Sequence, residues 1–135
     1  VAQIEANPRT RYLGFVTHDT IMRETAKAHF VTALYDPLRP INRYAASNKL
    51  SEALSCGRPA LVNCEMVIAA SLAEHDCLIA VPYTEVNNAA VKQMRALMVA
   101  GGARYDAMCE RAREAFEARY AWKDARMAMR RAIIG

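Results

Sequence analysis

ASNKLSEALSCGRPALVN, residues 46–63, holds an amphipathic helix, a glycine stop and an apolar strand within eighteen residues. Leu50, Ala53 and Leu54 recur at helical spacing behind Ser47, which can cap the helix, and Gly57 stands where a left-handed residue ends one. PALVN, residues 59–63, then reads as a strand without polar alternation, the pattern of a strand covered on both faces. Helix, glycine turn and covered strand in that order point to a parallel sheet joined by crossover helices.

The same pattern extends to both sides. RYLGFV, residues 11–16, reads as a strand, and THDTIMRETAKA, residues 17–28, as a helix with Asp19 as its cap. HFVTALY, residues 29–35, is a second apolar strand. A loop runs from Asp36 to about Ala46 and contains Pro37 and Pro40, longer than the two to six residues usual for such links. EMVIAASLAEHD, residues 65–76, reads as a helix and CLIAVPY, residues 77–83, as the fourth strand. The fold class is therefore α/β, a three-layer domain with a parallel sheet of about four strands. After Pro82 the pattern is helical. It runs from Val86 to Ala100, breaks at Gly101 and Gly102, and resumes with Tyr105, Met108, Cys109, Ala112, Ala115, Phe116 and Tyr120 on one face. A last stretch runs from about Trp122 to Ile134, and the apolar stripe before it reads as core, not as a cofactor box.

With 135 residues and 53% hydrophobic composition, the chain has the size of one domain with its own core. No apolar run approaches the roughly 20 residues that cross a bilayer, and no signal pattern follows Val1, so a soluble, cytoplasmic protein is expected. Cys56, Cys64, Cys77 and Cys109 form no Cys-x-x-Cys pair, and buried, reduced thiols are the expectation. The net charge of +4 is mild, with fourteen Arg to four Lys. Acidic residues are mixed among the basic ones from Arg104 onward, as on a solvated helix face, which argues against nucleic acid as a partner. The amphipathic C-terminal helices admit peripheral contact with an anionic inner membrane face, although packing on the sheet is the simpler reading. No metal is expected: there is no Asp-x-Asp, and His18-Asp19 and His75-Asp76 read as caps or surface pairs. A hydrolase elbow and a Walker or dinucleotide glycine loop are also missing.

In an open parallel sheet, ligands bind beyond the carboxyl ends of the strands, where loops lead into helix N-termini. The 36–48 loop and the helix carrying Lys49 belong there. Free N–H groups and the positive dipole end attract phosphate, and Lys49 adds a full charge. Glu52, three residues on, would repel phosphate but suits neutral hydroxyls such as those of a ribose. Together they outline a nucleoside diphosphate site, against the plain alternative of an exposed ion pair between Lys49 and Glu52.

NKLSEALSCGRPALVN resembles the donor-binding segment of GT-B-type, retaining family-4-like glycosyltransferases, whose pattern is roughly Pro-x-Lys-x-x-Glu-Ala-x-x-x-Gly-x-Pro-Val. Lys49, Glu52, Ala53, Gly57 and Pro59 fall in register, with Ser47 where proline is common. NPRTRYLGFV, HFVTALYDP, EHDCLIAVPY and FEARYAWKDA resemble flanking family segments in the right order, over nearly all of residues 7–125. The resemblance implies a Rossmann-like C-terminal half of a two-domain enzyme that takes a nucleoside diphosphate sugar as substrate, without metal or other cofactor. It implies nucleotide contacts from Ser47, Asn48, Lys49, Leu50 and Glu52, and a donor-sugar or phosphate loop from Arg39, Pro40, Ile41, Asn42 and Tyr44. It also implies an N-terminal acceptor-binding domain outside these residues, polysaccharide or glycolipid assembly as the setting, and an isolated chain that is inactive. Two departures stand out. Tyr44 occupies the position of the first acid of the family's Glu-x7-Glu pair, and Leu78 follows Cys77 where glycine is usual. The alternatives from the residues themselves are a noncatalytic doubly wound interaction or regulatory module and a sugar-nucleotide epimerase.

Overall fold

The computed structural model describes residues 6–99, 102–120, 126–127 and 129–132. The order is α1 His18–Lys27, β1 Val31–Ala33, α2 Pro40–Tyr44, α3 Asn48–Ser55, β2 Ala60–Asn63, α4 Val67–Ser71, β3 Leu78–Val81, α5 Val91–Val99 and α6 Ala103–Arg119. Short 3-10 turns occupy Ala73–His75 and Tyr83–Glu85, and a π-turn at Val86–Ala90 runs on into α5. Trp122 and residues 1–5 lie outside the described residues; 126–127 and 129–132 are helical and exposed.

The sheet is parallel, in the order β1-β2-β3, with Val31 opposite Ala60 and Ala60 opposite Leu78. It has three strands among the described residues, not four. RYLGFV, the expected first strand, pairs with no strand among the described residues: Gly14 at φ +66° interrupts the extended run, and Phe15 is fully exposed. A strand is stable only with a partner to take its N–H and C=O groups, and apolar composition alone does not supply one. The segment is held instead by Arg11, whose guanidinium donates to Glu24 of α1.

The central strand β2 is buried on both faces, as its missing polar alternation requires, while Thr32 of β1 and Ala80 of β3 are exposed. On one face Ala33, Ala60 and Val62 pack against Leu50, Ala53 and Leu54 of α3, Ala69 of α4, and Ala112 and Ala115 of α6. On the other, Leu61, Ile79 and Val81 pack against Ala90, Leu97 and Met108. Burying each of Leu50 and Leu54 completely contributes about 2 kcal/mol, so the face of α3 toward the sheet is fixed by its leucines and the opposite face is left to polar residues.

Helix ends refine the sequence reading. Gly57 has φ +63°, and the N–H groups of Gly57 and Arg58 reach back to the carbonyls of Leu54 and Ala53, at 2.9 and 2.8 Å, closing α3 in a Schellman turn. A Cβ there would lie 2.5 Å from Arg113 Nε. The cap of α1 is Thr17, whose side chain accepts from the Thr20 N–H, and Asp19 sits in the first turn. The helix expected over 65–76 is split into α4 and a 3-10 turn, which stops at Asp76 in the left-handed region (φ +45°).

Candidate functional site

The link from β1 to α3 is folded on itself. The Asp36 carboxylate accepts from the Leu38 N–H at 3.0 Å, and the Asp36 carbonyl accepts from Asn42 Nδ2 at 2.9 Å. Pro40 opens α2, whose first turn has no use for the N–H that proline lacks, and Arg39 precedes it. Asn42 is thereby spent on the loop, while Ile41 and Tyr44 turn out to solvent.

The loop delivers the chain to Ser47, the N-cap position of α3, but the Ser47 side chain makes no capping bond. Its Oγ lies 3.0 Å from the hydroxyl of Tyr35, two residues past the end of β1. Lys49 Nζ approaches the same phenol oxygen at 3.5 Å and stands 5.6 Å from the Tyr35 ring centre. The hydrogen bond to Ser47, seconded by the Lys49 charge, lowers the phenol pKa against the opposing effect of burial. The first intrahelical bonds are those of the Leu50 and Ser51 N–H groups to the Ser47 carbonyl, so the amides of Asn48 and Lys49 precede the ladder.

Tyr35 is itself held from beneath. Asn63, completely buried at the end of β2, accepts the Tyr35 N–H at 3.0 Å and donates to the Glu65 carboxylate at 3.0 Å. Glu65 also accepts the Tyr83 N–H at 3.0 Å, and that bond is the main cause of its lowered pKa. One buried amide and one carboxylate thus tie together the carboxyl ends of all three strands, a position where a buried polar group is stable only when its bonds are made.

Glu52 faces a different partner. Its Oε1 lies 3.2 Å from Nε2 of His18, the first residue of α1. The last turn of α1 meets Arg58, ahead of β2, through the Ala26 carbonyl, so α1 runs back along the sheet and His18 stands toward the strands' carboxyl ends. The Glu52 side chain is 23% exposed and that of His18 68%.

The plain alternative, an ion pair between Lys49 and Glu52, is not formed; their partners are Tyr35 and His18. Ser47, Lys49 and Glu52 come together at the C-terminal edge, and the backbones of Asn48 and Leu50 accompany them. Leu50 cannot offer its side chain: it is a core residue with no exposed surface. Tyr35, Asn63 and Glu65 are not singled out by the sequence, and His18 is read there only as part of a cap or surface pair. Asn63 ends an apolar run and carries a signal of its own, since a polar residue in a covered strand needs a partner. His18 has none, because its neighbour lies 34 residues away.

A cavity of about 330 Å³ opens at this edge over the other sheet face, lined by Leu34, Tyr83, Val86 and Asn87. Of the four thiols, Cys77 is buried and its pKa is pushed up to about 11 by burial, whereas Cys64 is exposed, against expectation, one residue past β2. Among the described residues no group of three or more His, Cys, Asp or Glu could hold a metal ion, and no helix is long and apolar enough to cross a membrane. Compared with protein-family models, curated proteins and solved structures, the chain matches none.

Proposed function

We propose that the chain is the donor-binding half of a retaining glycosyltransferase, a Rossmann-like unit that takes a nucleoside diphosphate sugar at the C-terminal edge of its sheet. The observation that carries this reading is the divergence of Lys49 and Glu52. Two opposite charges three residues apart on one helix leave each other unpaired, the cation reaching toward Tyr35, the acid toward His18 of α1. The few tenths of a kcal/mol that an i,i+3 pair would contribute are left unused. Spread apart, they suit a ligand with an anionic end and a hydroxylated end.

In this reading the amides of Asn48 and Lys49 and the Lys49 ammonium receive the diphosphate, and Glu52 accepts from the ribose hydroxyls. As the glycosidic C–O bond breaks, charge grows on the departing diphosphate, and fixed donors there stabilise it without a metal. Arg39, Ile41 and Tyr44 border the place left for the donor sugar. The acceptor and its binding domain lie outside these residues, and the donor half works on the cytoplasmic side.

Thermal unfolding with UDP or GDP tests the reading. A ligand at one hundred times its dissociation constant adds about 2.7 kcal/mol, so the wild-type Tm rises. Glu52→Ala and Lys49→Ala lose most of that rise, with ligand-free Tm values close to wild type because both groups are on the polar face of α3. A wild-type Tm that ignores every nucleoside diphosphate would favour a noncatalytic α/β interaction module.

A further inference from the structure

Strand β1 is an edge of the sheet, and its outer side is bare. The Val31 N–H donates to the Pro59 carbonyl on the β2 side. Alternation along the strand therefore turns the N–H and C=O of Thr32 the other way, where no strand lies among the described residues. Thr32 is exposed, and it shares its sheet face with Phe30 and Leu34 on either side. Each of these two lines an open cavity. One, of about 290 Å³, lies between Phe30 and Met94, Met98 and Val99; the other, of about 330 Å³, lies between Leu34 and Tyr83 and Val86. An uncovered apolar trough thus accompanies the open edge.

The same chain holds an apolar run with no strand to join. In RYLGFV, residues 11–16, Tyr12, Leu13 and Phe15 are exposed, Phe15 completely. Arg11 ties the start of the run to Glu24 of α1, and Thr17 just after it caps that helix. Fixed along α1 at both ends, the run shows its apolar side chains to solvent.

We propose that the β1 edge of one copy receives residues 11–16 of a second copy, so that the chain dimerises by reciprocal exchange. An edge with free N–H and C=O groups is a template for an added strand. Laid along β1, the run alternates Leu13 and Phe15 onto one face, where they cover the trough between Phe30 and Leu34. Gly14 leaves φ +66° for an extended conformation without a side-chain penalty. Each copy offers one run and one edge, so two copies satisfy both and the contact closes on a two-fold axis. The exchange stands apart from the nucleotide reading, because neither Phe15 nor Thr32 belongs to the α3 site.

Sedimentation velocity of the full chain over a range of concentrations tests the exchange. The wild type is expected to pass from monomer to dimer as concentration rises, with hydrogen exchange at the Thr32 and Leu34 amides slowing in step. Phe15→Asp puts a charge on the run and Thr32→Lys puts one on the edge; each is expected to weaken dimerisation about tenfold or more. Both positions are exposed in the single chain, so the monomer keeps its fold. Mixed together, the two variants are expected to form a heterodimer that neither forms alone, since the mixture restores one intact run beside one intact edge. A wild type that stays monomeric, a dimer that both variants leave unchanged, or a mixture no more associated than its components would overturn the exchange. Protection at Thr32 that does not depend on concentration would overturn it too, by assigning the run to its own β1.

Discussion

The two ends of the sheet carry similar side chains and use them in opposite ways. At the amino end, Tyr105 of α6 donates its hydroxyl to the His29 carbonyl at 2.8 Å, and Arg58 donates to both the Tyr105 oxygen and the Ala26 carbonyl. The Tyr105 ring also meets the edge of Phe30, with centres 5.4 Å apart. Phenol and guanidinium there are bonded to backbone carbonyls and packed, although Arg58 Nε is buried without a hydrogen-bond partner. At the carboxyl end another phenol and another cation, Tyr35 and Lys49, touch side chains only, at 3.0 and 3.5 Å, beside a helix start whose amides are not bonded within the helix. Residue type does not separate the two edges; what the side chains are bonded to does, backbone carbonyls at one and other side chains at the other.

The largest effect that would sharpen this contrast is expected at the amino end. Tyr105→Ala removes a buried ring and both hydroxyl bonds and is expected to cost about 3 kcal/mol in urea unfolding, with the size of the nucleotide response per folded molecule unchanged. Loss of nucleotide binding in a folded Tyr105→Ala would break the division between the two edges. Asn63→Leu is expected to cost less, about 2 kcal/mol, since it strands the Tyr35 N–H in the interior, and to weaken nucleotide binding severalfold as well, because it loosens the tie beneath the start of α3. Stability lost with full binding retained would show that the strand-end tie does not serve the site.

The smallest expected effect is a pH dependence. The Glu65 carboxylate is bonded to the Tyr83 N–H and to Asn63 in the folded chain, and its pKa is lowered. A depressed folded pKa contributes stability that is fully present above the ordinary carboxylate range and is lost as pH falls through the folded value. Glu65→Gln is therefore expected to flatten the acid limb of stability against pH while leaving stability at neutral pH slightly reduced. An acid limb identical to wild type would mean the tie does not titrate as a unit.

Much of this frame could be read from residue order. β1, β2, β3 and α3 follow from covered apolar runs and from a leucine stripe closed by Gly57, all local patterns. RYLGFV failed because an apolar run shows that a segment could be buried, not that a neighbouring strand is there to pair with it. Ser47 was placed at the correct helix end for a reason that does not hold: its hydroxyl serves Tyr35 instead of capping the backbone. Lys49 and Glu52 were legible as a pair of the right types, but their separation depends on Tyr35 and His18, 14 and 34 residues earlier in the chain. Such tertiary choices leave no mark on local spacing.

The central claim is that unspent donors gather around Ser47 and Lys49 to receive a nucleoside diphosphate. Amide resonances of the isotopically labelled chain, followed while UDP or GDP is added, test it most directly. The account predicts that saturable shifts concentrate at Tyr35, Ser47, Asn48 and Lys49, with Arg58 and Tyr105 unmoved. Shifts centred on the amino end of the sheet, or none at either end, would contradict it.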